Sequence, residues 1–283
     1  MNDSNKQQWT ETIDANHSLL DLNLKEVWRY RDLVFMFVKR DFVSSFKQTI
    51  LGPLWFFINP IFTTVVYLVI FGNIAKLSTD GAPKILFYLA GITLWNYFSS
   101  CLTATSNVFT SNAGIFGKVY FPRLVMPLSI VFSNLMKFGV QMGLFLVVFI
   151  YYLINNEVHP NLWILATPIL IVLMAMFALG MGMIFSSLTT KYRDLQMLLS
   201  FGISLYMYAT PVIYPVSSLK GIFKTIAFYN PLTGIFECFK YAWLGVGDFS
   251  PVMLLISTVI IFIILIIGTL IFNKVEKGFM DTV

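Results

Sequence analysis

Charge is what this chain of 283 residues has little of: only 12% of it is Asp, Glu, Lys or Arg, where a soluble domain carries about 25%. The length would suffice for one or two soluble domains, but the polar surface to keep them dissolved is missing. Histidine and cysteine are nearly absent, with two of each. Cys101 and Cys238 make no disulfide framework, and each lies in or beside an apolar stretch, where Cys is usually a small buried hydrophobe. No His/Cys/Asp/Glu group has metal-ligand spacing, and no Gly-x-Ser-x-Gly is present. The run from Gly114 to Lys118 has part of a phosphate-binding loop, but Asn112 replaces its first glycine and Val119 its hydroxyl, so no nucleotide site of that kind is expected. The first fifty or so residues lack a short apolar core with a small-residue cleavage site, and no cleavable signal peptide is expected. There is no internal repeat and no long low-complexity segment.

What fills the chain is apolar: 57% of residues are hydrophobic, 17% aromatic, and 28 are Phe. A membrane helix needs about 20 mostly apolar residues, and six stretches qualify. They run about Leu54 to Ile74, interrupted by Pro60, then Ile85 to Val108, Pro127 to Ile154, Leu162 to Leu188, Leu195 to Ile213, and Pro251 to Phe272. Between the last two, Tyr214 to Ser250 is semi-apolar, with Pro, Gly and three lysines. It reads as a loop or as short helices dipping back into the membrane, which survive there only when protein or a water-filled cavity covers them. With the N-terminus inside, thirteen of the 19 Lys and Arg fall on inner segments and five on outer loops. The positive-inside rule then puts both termini in the cytoplasm. The net charge of +5 fits that rule better than it fits nucleic acid. On this topology His17 and His159 lie on opposite faces and share no site.

Three regions follow: a polar tail over 1–22, an amphipathic helix and approach to the first span over 23–50, and the permeation domain over 51–283. From Leu24 to Phe46 the apolar residues Leu24, Val27, Trp28, Val34, Phe35, Val38 and Phe42 recur at three- and four-residue steps, with Lys25, Arg29, Asp32, Lys39 and Arg40 largely elsewhere. Asn23 and Glu26 resemble a capping pair. A basic amphipathic helix with aromatics lies in the interface plane; it either anchors the N-terminus or docks a cytoplasmic partner. The expected fold is therefore an all-α polytopic membrane protein with six transmembrane helices, an N-terminal interfacial helix, and short re-entrant helices between spans five and six.

Charge inside a span marks an ion or proton path, and Lys137 is the clearest case; it either serves one or snorkels to the cytoplasmic end of its helix. Glu237 and Lys240 are three apart and fit an ion pair on one helix face. Gly139 and Gly143 form a Gly-x-x-x-Gly, which suits packing within the subunit as well as dimerisation; Gly180 and Gly182 read the same way. A membrane enzyme on lipid-linked sugars would need clustered acidic residues or histidines at one face. A proton-coupled flippase would need buried ionisable pairs.

Certain strings are specific together. Arg40-Asp41-Phe42, Phe46 to Trp55 (with Gly52-Pro53) and Asn59-Pro60 precede and open the first span. Lys118 to Arg123 and Pro127-Leu128-Ser129 form the second loop. Tyr192-Arg193-Asp194-Leu195 precedes the fifth span, Thr210 to Pro215 leaves it, and Asn230-Pro231-Leu232 opens the stretch to Gly245. In order and spacing, from about residue 20 onward, these resemble the permease subunits of ABC transporters that export polysaccharides (O-antigen, capsule or teichoic acid), the type-2 ABC exporter permeases. Lys240 stands where related chains often carry Arg, keeping the charge but losing the bidentate geometry.

The resemblance implies a homodimeric permease in a bacterial inner membrane, paired with two copies of a separate ATPase that binds ATP and Mg. This chain would carry no cofactor and no catalytic residue, and its partners would be membrane lipid and a lipid-linked polysaccharide, with O-antigen on a polyprenyl diphosphate the first choice and capsule, teichoic acid, drug or small lipid the alternatives. A glycan offers hydroxyl edges and apolar ring faces, so its conduit should be aromatic and poor in fixed charge. Tyr206, Tyr208, Tyr214, Phe228, Tyr229, Phe236 and Tyr241 are the candidates for that lining, though aromatics also build interface belts and cores. Lys47, Lys118 and Arg123 are candidates for the diphosphate entrance, or ordinary inner-face charge. Arg29, Arg40, Asn112, Lys118, Tyr120 and Arg123 are candidates for coupling to the ATPase, through the interfacial helix and the loop from Asn112 to Arg123.

Overall fold

The computed structural model describes residues 24–47, 49–116, 118, 121–192 and 194–279. His17, Asn23, Tyr120 and Arg193 lie outside the described residues, so the expected helix cap and one coupling candidate do too. Among the described residues the chain is all helix and turn, with no strand. That follows from the solvent: in hydrocarbon each backbone N–H and C=O must be bonded internally, and a helix does this within one segment.

The chain opens with α1 (Leu24–Arg29) and α2 (Arg31–Ser44), broken at Tyr30. The expected single helix is thus two, and its register differs. Val27, Val34 and Val38 turn inward as expected, but Phe37 joins them, while Trp28 and Phe35 are exposed. Helix α3 (Trp55–Tyr67) starts from a 3-10 turn at Gly52–Leu54 and continues as a π-helical stretch, Leu68–Ile74. Then come α4 (Lys84–Ser106), α5 (Val108–Phe116), α6 (Val125–Ile154), α7 (Thr167–Lys191), α8 (Leu195–Ala209), α9 (Ile222–Tyr229), α10 (Thr233–Leu244) and α11 (Pro251–Phe279). Five helical segments are long and apolar enough to cross a membrane: Gly52–Ile74, Lys84–Ser106, Val125–Ile154, Leu162–Lys191 and Pro251–Val275.

The fifth apolar stretch is the exception. Its helix, α8, stops at Ala209 and not at Ile213, after 15 residues. At 1.5 Å per residue that is about 22 Å, short of a hydrocarbon core about 30 Å thick. Pro211 is the cause. A proline ring excludes the helical region for the residue before it, and Thr210 is extended, at φ −104° and ψ 143°.

The bundle is built around α4, whose most apolar 18-residue stretch is 78% buried, against 17% for the corresponding stretches of α6 and α11. It packs on α3, α6, α7, α8 and α10, with Phe98 stacked on Phe177 of α7 at 5.3 Å. Helices α7 and α11 make the closest backbone approach. A Cβ on Gly180 would sit 2.8 Å from Cα of Leu265, and one on Gly268 would overlap the Gly180 carbonyl. Gly139 and Gly143 differ: a Cβ on either meets nothing within 4 Å. Among the described residues nothing packs closely against these two positions of α6.

A second apolar cluster sits apart from the main core. Phe37 of α2 touches Phe121 at 5.9 Å, Phe121 stacks on Phe116 at 5.6 Å, and Phe109 stacks on Phe272 of α11 at 4.8 Å. These rings join α2, α5 and the loop before α6 to α11, so the two expected coupling elements form one packed unit.

Candidate functional site

Two places in the bundle hold polar chemistry. The first is a cavity of about 730 Å³ between α2, α4, α5 and α6. Helix periodicity builds its walls. Ser99, Ser100, Thr103 and Asn107 recur at three- and four-residue steps along α4, and Asn134 and Lys137 are three apart on α6, so each set shares one face of its helix. One step further along, Asn96 of α4 donates to Gln141 of α6 at 3.3 Å. Arg40 and Asp41 close the cavity from α2, and Ser111 and Asn112 from α5, where Asn112 leaves helical geometry at φ −119° and ψ 15°. Arg40 and Asp41 neutralise each other at 2.8 Å, and Arg40 also lies over the Phe37 ring at 4.7 Å. Lys137 brings the one charge in this wall that lacks such a partner among the described residues. Neutral hydroxyls and amides fill a helical stripe without spoiling its mean hydropathy, so the cavity is hidden from a reading that follows charge.

The second place is the broken segment around α8 to α10. The chain leaves α8 through an extended Thr210, runs on in turns and bends, and folds back through α9 and α10, which leaves carbonyls that no helix satisfies. Asn230 meets part of that need. Its Nδ2 donates to the carbonyl of Ala209 and to Oγ1 of Thr210, both at 3.2 Å, and its Oδ1 accepts from the Leu232 amide at 3.0 Å and from the Tyr206 hydroxyl at 2.7 Å. Lys240 meets the rest. Its side chain is 1% exposed, and its ammonium donates to the carbonyls of Pro211 and Tyr214, pairs with Glu237 at 3.6 Å and faces the Phe87 ring at 4.1 Å. Glu237, wholly buried, accepts from the Asp248 amide at 3.2 Å. The expected pair on α10 is therefore present. Its buried charges are used up in holding the broken backbone. Lys240 has no donor left over for a phosphate.

The aromatic candidates divide by exposure. Tyr208 and Tyr229 are exposed, at 55% and 59%. Tyr214 is half-buried and donates to the Tyr208 carbonyl at 3.0 Å. Phe228 meets Tyr229 edge-on at 5.5 Å, and Tyr241 stacks on Phe249 at 5.5 Å. Phe236 is completely buried in the core. Tyr206 and Tyr229 come together at a smaller cavity of about 420 Å³ with Asn230 and Pro231. Of the cations, Lys47 and Lys118 are exposed, and Arg123 lies over the Phe116 ring at 5.7 Å. Arg29 is exposed on α1.

The sequence that folds into this bundle has counterparts among known proteins. Residues 32–244 match the ABC-2 type transporter family. The chain belongs to that family. The permease is 31% identical, over 252 residues, to the O-antigen export system permease protein RfbA of Klebsiella pneumoniae, which covers 88% of this chain and 94% of the relative. It is 25% identical over 264 residues to the protein of the same name from Myxococcus xanthus, covering 92% and 98%. Similarity extends at 20% identity over 221 residues, 73% and 82% of the two chains, to the inner membrane transport permease YadH of Escherichia coli strain K12.

Proposed function

We propose that this permease carries a lipid-linked polysaccharide, O-antigen on a polyprenyl diphosphate, from the cytoplasmic to the outer face of the inner membrane. The observation that carries this reading is similarity over nearly the whole chain to permeases named for O-antigen export. A separate ATPase, two copies to a permease homodimer, supplies the energy, binding ATP and Mg outside this chain. Both termini lie in the cytoplasm, with α8 as the sixth crossing and α9 and α10 re-entrant from the outer side. Composition supports that count: α8 is an apolar helix without a charged residue, and the chain continues from Thr210 through turns and bends toward α9. The outward face of α8 carries Met197, Phe201, Leu205 and Tyr208, an apolar and aromatic surface without fixed charge along which sugar rings slide. The ATPase pushes on the unit of α2, α5 and the loop to Arg123, which the Phe37, Phe116 and Phe121 rings hold to the bundle.

Two experiments test the reading. In cells lacking this chain, lipid-linked glycan builds up on the cytoplasmic side, and the intact permease restores export. The Tyr208→Ala, Tyr229→Ala double variant assembles yet restores several-fold less; full export by it would remove the aromatic conduit from the reading. For coupling, a cysteine replacing exposed Lys118 forms a cross-link to the ATPase whose yield changes with bound ATP. A yield that is nil or insensitive to nucleotide counts against the pushing unit.

A further inference from the structure

The cavity between α2, α4, α5 and α6 has no part in a conduit along α8. Its volume of about 730 Å³ is that of a small-ligand site. Its wall has a definite hydrogen-bonding sense. Asn107, Asn112 and Asn134 each donate their amide hydrogens to a carbonyl four residues back in the chain, at 3.0 Å in every case. Each amide keeps a second N–H beside its carbonyl oxygen, so the three side chains can both donate and accept. Oδ1 of Asn107 is buried with no hydrogen-bond partner among the described residues. The hydroxyls of Ser100 and Thr103 add groups that both donate and accept. Beside them lies the Lys137 ammonium, which makes no salt bridge among the described residues and feels the field of Asp41, itself paired with Arg40.

Amides beside hydroxyls suit a ligand rich in hydroxyls, which both donate and accept, and a cation next to them suits one anionic group. A sugar bonded to phosphate has both. We infer that this cavity takes up the phosphorylated first sugar of the lipid-linked cargo, with Lys137 on the phosphate and Asn107, Asn112 and Thr103 on the sugar hydroxyls. The inference rests on the export reading and adds to it a loading site, distinct from the exposed cations Lys47 and Lys118. The sugar is read at the start of transport, before it reaches the aromatic path.

The test uses the purified permease–ATPase complex in lipid nanodiscs and three probes: a polyprenyl diphosphate bearing one hexose, the same lipid without the sugar, and free hexose 1-phosphate. Wild type binds the glycolipid more tightly than either fragment. Lys137→Gln weakens glycolipid binding about tenfold, the size expected for one charge-assisted hydrogen bond, and Lys137→Arg recovers most of it. Asn107→Leu weakens the glycolipid several-fold but leaves the sugar-free lipid unchanged. Thr103→Val, at an exposed position, does the same without touching the core and serves if Asn107→Leu fails to assemble. Undiminished glycolipid binding by Lys137→Gln and Thr103→Val overturns the loading site and leaves the export reading standing. Tighter binding of free hexose 1-phosphate than of glycolipid overturns it in favour of a soluble ligand. Failure of the wild type to bind any polyprenyl diphosphate removes the export reading and the loading site together.

Discussion

Lys240→Met costs the folded permease about 3–5 kcal/mol, the range for removing one partner of a buried ion pair. The substitution keeps the length of the side chain and takes away only the ammonium. What remains is Glu237, 0% exposed, and two carbonyls, of Pro211 and Tyr214, that lose their donor. Each of these is a buried acceptor with no replacement from water, which is why the loss exceeds the value of one hydrogen bond. The pair also ties α10 to the extended exit of α8, so its loss frees the broken segment as a unit. Melting of the purified permease in detergent should fall on the order of 10 °C. The double change Glu237→Gln, Lys240→Met restores part of that, because no unpaired charge is left behind. A single variant that melts with the wild type would show that the 211–214 backbone is held by something else.

Gly268→Ala and Gly139→Ala should have opposite signs. Both exchange glycine for the best helix former, worth up to about 1 kcal/mol. At Gly139 a methyl group meets open space, so the propensity gain survives and the folded subunit is as stable or slightly more so. At Gly268 the methyl overlaps the Gly180 carbonyl. There α7 and α11 must separate, and overpacking of this kind costs about 1–3 kcal/mol. Gly268→Leu should abolish the folded product. Melting temperatures and the yield of monodisperse protein measure both. The reverse pattern, a gain at Gly268 and a loss at Gly139, would place the helix contact on the wrong face of the bundle.

The glycines illustrate how far the sequence speaks. Gly-x-x-x-Gly in α6 and Gly-x-Gly in α7 look alike as strings, yet among the described residues only the second packs closely, Gly180 on Gly268 of α11 and Gly182 on Thr105 of α4, both far away in sequence. The long spans were legible, since about 20 apolar residues in a row admit few other structures. The end of α8 was legible in principle from Pro211, whose effect on Thr210 is local. The spacing of Glu237 and Lys240 announced their pairing, whereas their work on Pro211 and Tyr214 depends on a turn of the chain that no spacing encodes. In α2, Phe35 and Phe37 are two apart and fit an apolar face about equally well; the neighbouring ring of Phe121 decides for Phe37. The polar cavity was the least legible, because Ser, Thr and Asn on α4 pass for ordinary occupants of an apolar helix. Their steps, Asn96, Ser99, Ser100, Thr103 and Asn107, carry the signal.

The central claim concerns cargo, and the most direct measurement is mass spectrometry of the lipid that copurifies with the permease and its ATPase from cells that make the glycan. The account predicts a polyprenyl diphosphate bearing sugar repeats, retained by the wild type and depleted in Lys137→Gln. A bound lipid without a glycan, or a small amphiphile in its place, would contradict it.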